Sequence, residues 1–166
     1  GHRAVGNDAG DILQREALSD SQWLEAILRF SALPGTSRHH WGTDMDIWDA
    51  AAVGDGYRLS LTAAENGSGG VFEEVTQWLD ARMAADDAEG FFKPYDRDRG
   101  GIAPEPWHIS FRPVAEQYAN RVSLEWLMPL WSGSPDAQGT VHQPLAMLSV
   151  LAPVAATVLA RYVYSD

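Results

Sequence analysis

The sequence predicts an α+β fold, in which several helices are combined with a few short β-strands. Segments with apolar residues at helical spacing are interspersed with short segments of alternating polarity, and turns rich in glycine or proline separate them. Hydrophobic residues make up 45% of the 166 positions, which favours a packed core over disorder. Because domains commonly span about 100–200 residues, we predict one domain over residues 11–166, with a helical C-terminal part over 114–166.

The first ten residues are small and polar, so we predict a flexible segment over 1–10. Gly1 and His2 look like the remnant of a cleaved tag. A signal peptide or anchor upstream is therefore compatible with the sequence, and this terminus alone gives no expectation about localisation.

Helical spacing of apolar residues predicts a helix near the start of the domain and another in its middle. The first lies within residues 11–30, begins at a capping Ser19 or Asp20 and ends near Arg29. The second is amphipathic and spans residues 71–85.

The C-terminal part is predicted to be helical on both sides of an interruption at 132–139. Residues 145–160 are apolar and uncharged, but they are fewer than the roughly 20 residues that a membrane span needs and they include Pro153. We therefore predict a buried core helix, with a helix that contacts a membrane as the alternative. His142, which lies two residues before Pro144, is interpreted as structural.

Alternation of apolar and polar residues predicts four short strands, at 44–49, 57–61, 90–95 and 105–113. A polar turn at 96–101 joins the last two as a hairpin. Within 105–113, Trp107, Ile109 and Phe111 are expected on one face, and His108 and Ser110 on the other.

Charge and cysteine content restrict the classes of function. The chain has 23 acidic and 12 basic residues, and this excess of negative charge disfavours nucleic acid as a partner. The absence of cysteine excludes disulfides, thiolate nucleophiles and cysteine-bound zinc. A metal would therefore be held by histidine, aspartate or glutamate.

Two short segments contain residues suited to a metal site, "SRHHWGTDMD" (37–46) and "EPWH" (105–108). His39, Asp46 and His108 would supply two imidazoles and one carboxylate, a set typical of catalytic zinc because it leaves one tetrahedral position open. His40 is expected to point away from the metal. By residue type alone, surface histidines and a histidine at a strand end are an equal alternative.

The spacing within these two segments resembles the motifs of the zinc D-Ala-D-Ala carboxypeptidases and dipeptidases, which have lysostaphin and hedgehog domains as more distant relatives. The first motif of that family is S-x-H-x-x-G-x-A-x-D and the second is E-x-x-H, usually E-x-W-H. The resemblance covers residues 27–112. The matching positions are Ser37, His39, Gly42 and Asp46 in the first motif and Glu105, Trp107 and His108 in the second.

The resemblance implies a small, mainly antiparallel sheet that bears the zinc site, with helices packed around it. It implies one Zn²⁺ per chain, bound by His39, Asp46 and His108. It also implies that Glu105 is the general base and later the acid toward the leaving amine, a role consistent with carboxylate chemistry beside zinc.

The family also places an arginine before the first motif to stabilise the oxyanion. Arg29 fits by its order in the chain, and Arg38 is the competitor. Ser37, Arg38, Trp107 and Asp44 are assigned to substrate binding. Asp44 stands where the family usually has alanine, so it is alternatively a hydrogen-bond partner of a ligand or an added negative charge beside the metal.

The function implied is a zinc carboxypeptidase that acts on D-amino-acid-containing peptides of bacterial peptidoglycan. The expected partners are stem peptides or small D-amino-acid peptides, the expected location is the periplasm or cell envelope, and the expected state is a monomer. A non-catalytic zinc-containing module that binds peptide or cell wall is the main alternative, and a peptidoglycan endopeptidase is another. Glu105 favours an enzyme, because a binding module needs no general base.

Overall fold

A computed structural model describes residues 4–119, 121–135, 139–141 and 143–163. Its helices and three-stranded antiparallel sheet confirm the predicted α+β class. Gly1, His2 and His142 lie outside the described residues, so the interpretations made of them stay predictions. The helices are α1 (Asp20–Arg29), α2 (Ala63–Asn66), α3 (Glu73–Ala84), α4 (Arg112–Ala119), α5 (Leu124–Ser132), α6 (Leu148–Leu151) and α7 (Ala155–Tyr162), and the strands are β1 (Asp44–Asp46), β2 (Phe91–Phe92) and β3 (His108–Phe111).

The chain divides into two compact units. The first contains the described residues up to Ser37, the segment Arg99–Ala103 and the described residues beyond 120. The second contains Arg38–Asp98 and Pro104–Ala119. The flexible segment over 1–10 and the single domain over 11–166 stay predictions.

In the first unit, α1 begins and ends where the sequence predicted. The Ser19 side chain accepts a hydrogen bond from the backbone of Gln22, and the Gln22 side chain accepts one from the backbone of Ser19, which completes a capping box. The helix buries Leu24 and Leu28 on one face. Its last residue is Arg29.

The apolar segment 145–160 buries only one side, since half of its residues are exposed, and the prediction of one continuous buried helix was wrong. Residues Ala152–Val154 form a 3₁₀ turn between α6 and α7. Pro153 lies in this turn and has no N–H to continue an α-helix. Residues buried on the core side are Leu151, Ala155, Val158, Leu159 and Tyr162. None of the helices among the described residues is long and apolar enough to span a membrane.

The sheet of the second unit has the strand order β1-β3-β2, with both pairings antiparallel. The predicted pairing of the segments around 91 and 110 is confirmed, but both strands are shorter than predicted. The longer one, β3, ends at Phe111 because α4 begins at Arg112, and Pro113 is well tolerated in the first turn of a helix. Of the predicted strand 44–49, residues 44–46 form β1.

The predicted strand at 57–61 was wrong. This segment pairs with no strand among the described residues, and Leu61 has a φ of 54°, outside the β region. The carboxylate of Glu65 explains the loop, because it accepts hydrogen bonds from the Tyr57 hydroxyl (2.7 Å) and the backbone N–H groups of Ser60 (3.1 Å) and Thr62 (3.0 Å). The segment therefore folds around the Glu65 carboxylate of α2 instead of pairing as a strand.

The amphipathic helix predicted over 71–85 is confirmed as α3. Phe72 directly precedes it and is 1% exposed, with the rings of Trp48 and Tyr57 edge-on against it. The segment before this helix requires a glycine at position 70, because a Cβ there would lie 2.3 Å from the Ala64 carbonyl oxygen.

Candidate metal centre

The pairing of β1 with β3 gathers polar side chains on one face of the sheet. Asp44 lies opposite Ser110 and Asp46 lies opposite His108. Since alternate residues of a strand share a face and directly opposed residues lie on the same side, these four side chains form one polar strip. The strip contains one predicted ligand from each of the two motif segments.

A 3₁₀ turn brings the remaining predicted ligand to this strip. Residues Arg38–Trp41 form the turn, and Gly42, with a φ of 72°, reverses the chain toward β1. His39 thereby lies beside His108, with the ring centroids 4.6 Å apart.

His39, Asp46 and His108 form a group that could hold a metal ion. Their nearest ligand atoms all lie within 4.8 Å of one another. Asp46 Oδ1 is 3.6 Å from both His39 Nε2 and His108 Nδ1. The side chains of His39 and Asp46 are 43% and 30% exposed, whereas that of His108 is 3% exposed, so solvent reaches the group from one side.

The second nitrogen of each imidazole is also engaged. His39 Nδ1 lies 3.3 Å from the backbone carbonyl oxygen of Asp44, and His108 Nε2 lies 2.9 Å from the Asp44 carboxylate. The Asp44 carbonyl and the ionised Asp44 carboxylate both accept hydrogen bonds. Each imidazole can therefore donate to Asp44 from one nitrogen while its other nitrogen faces Asp46. Two imidazole nitrogens and one carboxylate, with the imidazoles held in this way, fit the donor set of a catalytic zinc ion.

Glu105 lies directly beside this group. Its Oε2 atom is 3.0 Å from His108 Nδ1, and its side chain is 23% exposed. Two backbone hydrogen bonds hold the turn before β3, one from Glu105 N–H to the Tyr95 carbonyl and one from His108 N–H to the Glu105 carbonyl. The Tyr95 ring also lies edge-on to His108, with the centroids 5.1 Å apart.

The charges around His108 shift its pKa and that of Asp44. Burial alone would lower the pKa of His108, but hydrogen bonds to Asp44 and Glu105 outweigh it and raise that pKa to about 9. Burial would raise the pKa of Asp44, yet hydrogen bonds from His108, Thr43 and Arg38 hold it well below its usual value. In the metal-free protein an imidazolium therefore lies between carboxylates, and a metal ion would replace its Nδ1 proton.

Arg38 and Asp44 form a buried ion pair that the sequence did not reveal. Arg38 Nε donates to Asp44 Oδ1 at 2.8 Å, and the two side chains are 8% and 0% exposed. The Arg38 guanidinium lies over the rings of Trp41, at 4.4 Å, and Phe92, at 5.6 Å. Of this arrangement, the sequence indicated that Ser110 shares a strand face with His108 and, as one alternative, that Asp44 is a hydrogen-bond partner of a metal ligand.

Arg29, Trp107 and Ser37 are further predicted site residues. Arg29 belongs to the first unit, where it makes a double hydrogen bond to the Asp8 carboxylate and a single one to the Gly101 carbonyl. Trp107 is half-buried, and Ser37 directly precedes the 3₁₀ turn. His40 is exposed and is not in the metal-ligating group found among the described residues. The roles assigned to all of the predicted site residues stay predictions.

Comparison with known proteins identifies the family of this chain. The family model VanY, described as D-alanyl-D-alanine carboxypeptidase, matches residues 9–114. An uncharacterized protein of Haemophilus influenzae is 35% identical over 103 residues, which cover 61% of this chain and 76% of that protein. No solved structure matches. The match covers both motif segments and the whole sheet, and the chain belongs to the VanY family of D-alanyl-D-alanine carboxypeptidases.

Proposed function

We propose that the protein is a zinc-dependent carboxypeptidase that removes the terminal residue from D-alanyl-D-alanine-containing peptides of bacterial peptidoglycan. Membership of the VanY family supports this type of activity at the level of the family. The observation that carries the proposal is the group of His39, Asp46 and His108, with Glu105 in hydrogen-bond contact. That arrangement combines a candidate metal site with a candidate general base.

His39, Asp46 and His108 would hold the zinc ion. When bound, zinc supplies Lewis acidity, which makes water easier to deprotonate and polarises the scissile carbonyl. Their unequal exposure suits catalysis, because His108 anchors the buried side while His39 and Asp46 face solvent, from which water and peptide arrive.

Glu105 would act as the general base toward water and then as the general acid toward the leaving amine. Its carboxylate is partly exposed, and in the metal-free protein it accepts a hydrogen bond from His108. With His108 Nδ1 engaged as a metal ligand, this oxygen would be free to accept a proton from water. The same carboxyl group then donates that proton to the leaving amine of the terminal residue, which lets the C–N bond break without releasing an amide anion.

The substrate determines the expected location. Peptidoglycan lies outside the cytoplasmic membrane, so the proposal includes action in the periplasm or cell envelope. We also propose that the protein acts as a monomer, because all three candidate ligands and Glu105 belong to one compact unit of one chain.

Digestion of defined muropeptides with mass-spectrometric readout tests the proposal. The parent protein should release one terminal D-alanine from a pentapeptide stem. Glu105→Gln should lose this activity while it retains zinc, and Glu74→Gln, which changes an exposed glutamate of α3, serves as the matched control. A zinc-loaded parent that binds the stem peptide and cleaves nothing would support a binding module instead. Cleavage confined to cross-linked dimers would support an endopeptidase.

A further inference from the structure

The carboxylate of Asp44 is buried and saturated with hydrogen-bond donors. Oδ1 accepts from Arg38 Nε at 2.8 Å and from His108 Nε2 at 2.9 Å. Oδ2 accepts from Thr43 Oγ1 at 2.6 Å and from Ser110 Oγ at 2.8 Å. Four donors satisfy both oxygens of the ionised carboxylate, and the positive charge of the Arg38 guanidinium balances its negative charge.

This contact determines which nitrogen of His108 carries a hydrogen. An ionised carboxylate only accepts hydrogen bonds, so Nε2 of His108 must be the N–H that donates to Asp44. The neutral imidazole then has its lone pair on Nδ1, the atom that faces Asp46 and Glu105. An alanine at position 44, the usual residue of the motif, would leave this buried N–H without that acceptor.

Arg38 is part of the same hydrogen-bond network. Its Nη2 atom donates to Ser110 Oγ at 3.0 Å, and its guanidinium lies against the rings of Trp41 and Phe92. These contacts fix the Arg38 side chain in place, and its positive charge is paired with the Asp44 carboxylate. A cation held in this way suits the support of Asp44 better than contact with a substrate.

We propose that Asp44 is a positioning residue, which fixes the Nε2–H tautomer and the ring orientation of His108 so that Nδ1 is presented to the metal, and that Arg38 holds Asp44 in place. The inference rests on the proposed zinc site, but it assigns Asp44 and Arg38 to a different task from substrate binding. Carboxylate partners of metal-bound histidines commonly change metal affinity by about 10–100-fold when removed.

The test uses double variants, because removal of Asp44 alone would leave the Arg38 charge buried and unpaired. Asp44→Ala with Arg38→Met removes both charges and replaces the arginine by an apolar side chain that fits between rings. Asp44→Asn with Arg38→Met also removes both charges but restores an oxygen that accepts from Nε2–H. The matched control is Asp87→Ala with Arg82→Met, which removes an exposed aspartate–arginine pair of the same unit, 3.2 Å apart.

Zinc affinity, measured by chelator competition on the full chain, is the first readout. The alanine double variant should bind zinc about 10–100-fold more weakly than the parent. The asparagine double variant should recover most of that loss, and the control should match the parent. Equal affinities in the parent and the alanine double variant would overturn the proposal, even if both double variants were less stable.

Proton NMR of the metal-free protein is the second readout. The Nε2–H of His108 should give a downfield resonance protected from solvent exchange in the parent and in the asparagine variant, and it should be lost in the alanine variant. A parent without such a resonance would overturn the positioning role. A parent that binds no zinc would instead overturn the proposed function, and the resonance would still report whether Asp44 holds the ring.

Discussion

The stability of the metal-free protein should fall as the pH rises from about 6.5 to 9. His108 has an ordinary pKa near 6.5, which applies to the unfolded chain, and its contacts with Asp44 and Glu105 raise the pKa in the folded protein to about 9. The folded state therefore binds more protons than the unfolded state between these two values. The resulting stabilisation is fully present below pH 6.5 and is lost as the pH passes through about 9.

The difference between the two pKa values limits the size of this effect. Each pH unit between them corresponds to about 1.4 kcal/mol, so the loss is at most about 3–4 kcal/mol for this single proton. Solvent screening does little to reduce it, because the His108 side chain is 3% exposed. A loss of this size is a large fraction of the roughly 5–15 kcal/mol by which most domains are stable.

Urea unfolding at several pH values measures the effect without adding salt. Fluorescence and circular dichroism should report coincident transitions if unfolding is two-state. The parent should lose stability over this interval relative to His108→Gln, which lacks the titrating group. An NMR titration of His108 provides a check that does not require the variant to fold. A stability that is flat or rising relative to the variant, together with an ordinary His108 pKa, would refute the placement of this imidazole between two carboxylates.

Three further predictions concern the metal and the catalytic groups. Elemental analysis should find about one zinc per chain, and His39→Ala or His108→Ala should each abolish tight binding; a parent without tight transition-metal binding would contradict the whole assignment. Glu105→Gln should lower kcat by about 10²–10⁴-fold and retain zinc, as parallel activity and metal assays would show. Arg29→Lys and Arg29→Ala should both lose most of kcat with zinc retained, whereas Asp44→Asn with Arg38→Met, which leaves no buried charge unpaired, loses less; the opposite ranking in metal-loaded proteins with matched circular dichroism would favour Arg38 at the oxyanion.

The elements with local signals were predicted well from the sequence. A capping residue at Ser19 or Asp20 and a row of apolar residues placed α1, whose cap is Ser19 and whose last residue is Arg29. The resemblance of the two motif segments named His39, Asp46 and His108 as candidate ligands, and the structure brings these three side chains together. Asp46 and His108 are direct neighbours across the pairing of β1 with β3.

The two errors have different physical causes. A strand depends on a pairing partner outside its own segment. Residues 57–61 alternate in polarity as a strand would, but the carboxylate of Glu65 binds their polar groups and no strand among the described residues pairs with them. The break between α6 and α7 had a local signal in Pro153, which the apolar composition of residues 145–160 obscured.

The role of Asp44 could not be predicted from its motif position alone, because it depends on the hydrogen-bond partners of its carboxylate. A carboxylate buried alone beside zinc ligands would be costly, so its presence there depends on donors that lie elsewhere in the chain. Arg38 comes from the preceding turn and Ser110 from the opposing strand, and each also bonds the other. Asp44 is therefore one member of a three-residue hydrogen-bond network with Arg38 and Ser110. Taken by itself, Asp44 was compatible with either a hydrogen-bond partner of a ligand or extra negative charge at the metal; taken with its partners, it is a neutralised acceptor directed at one nitrogen of His108.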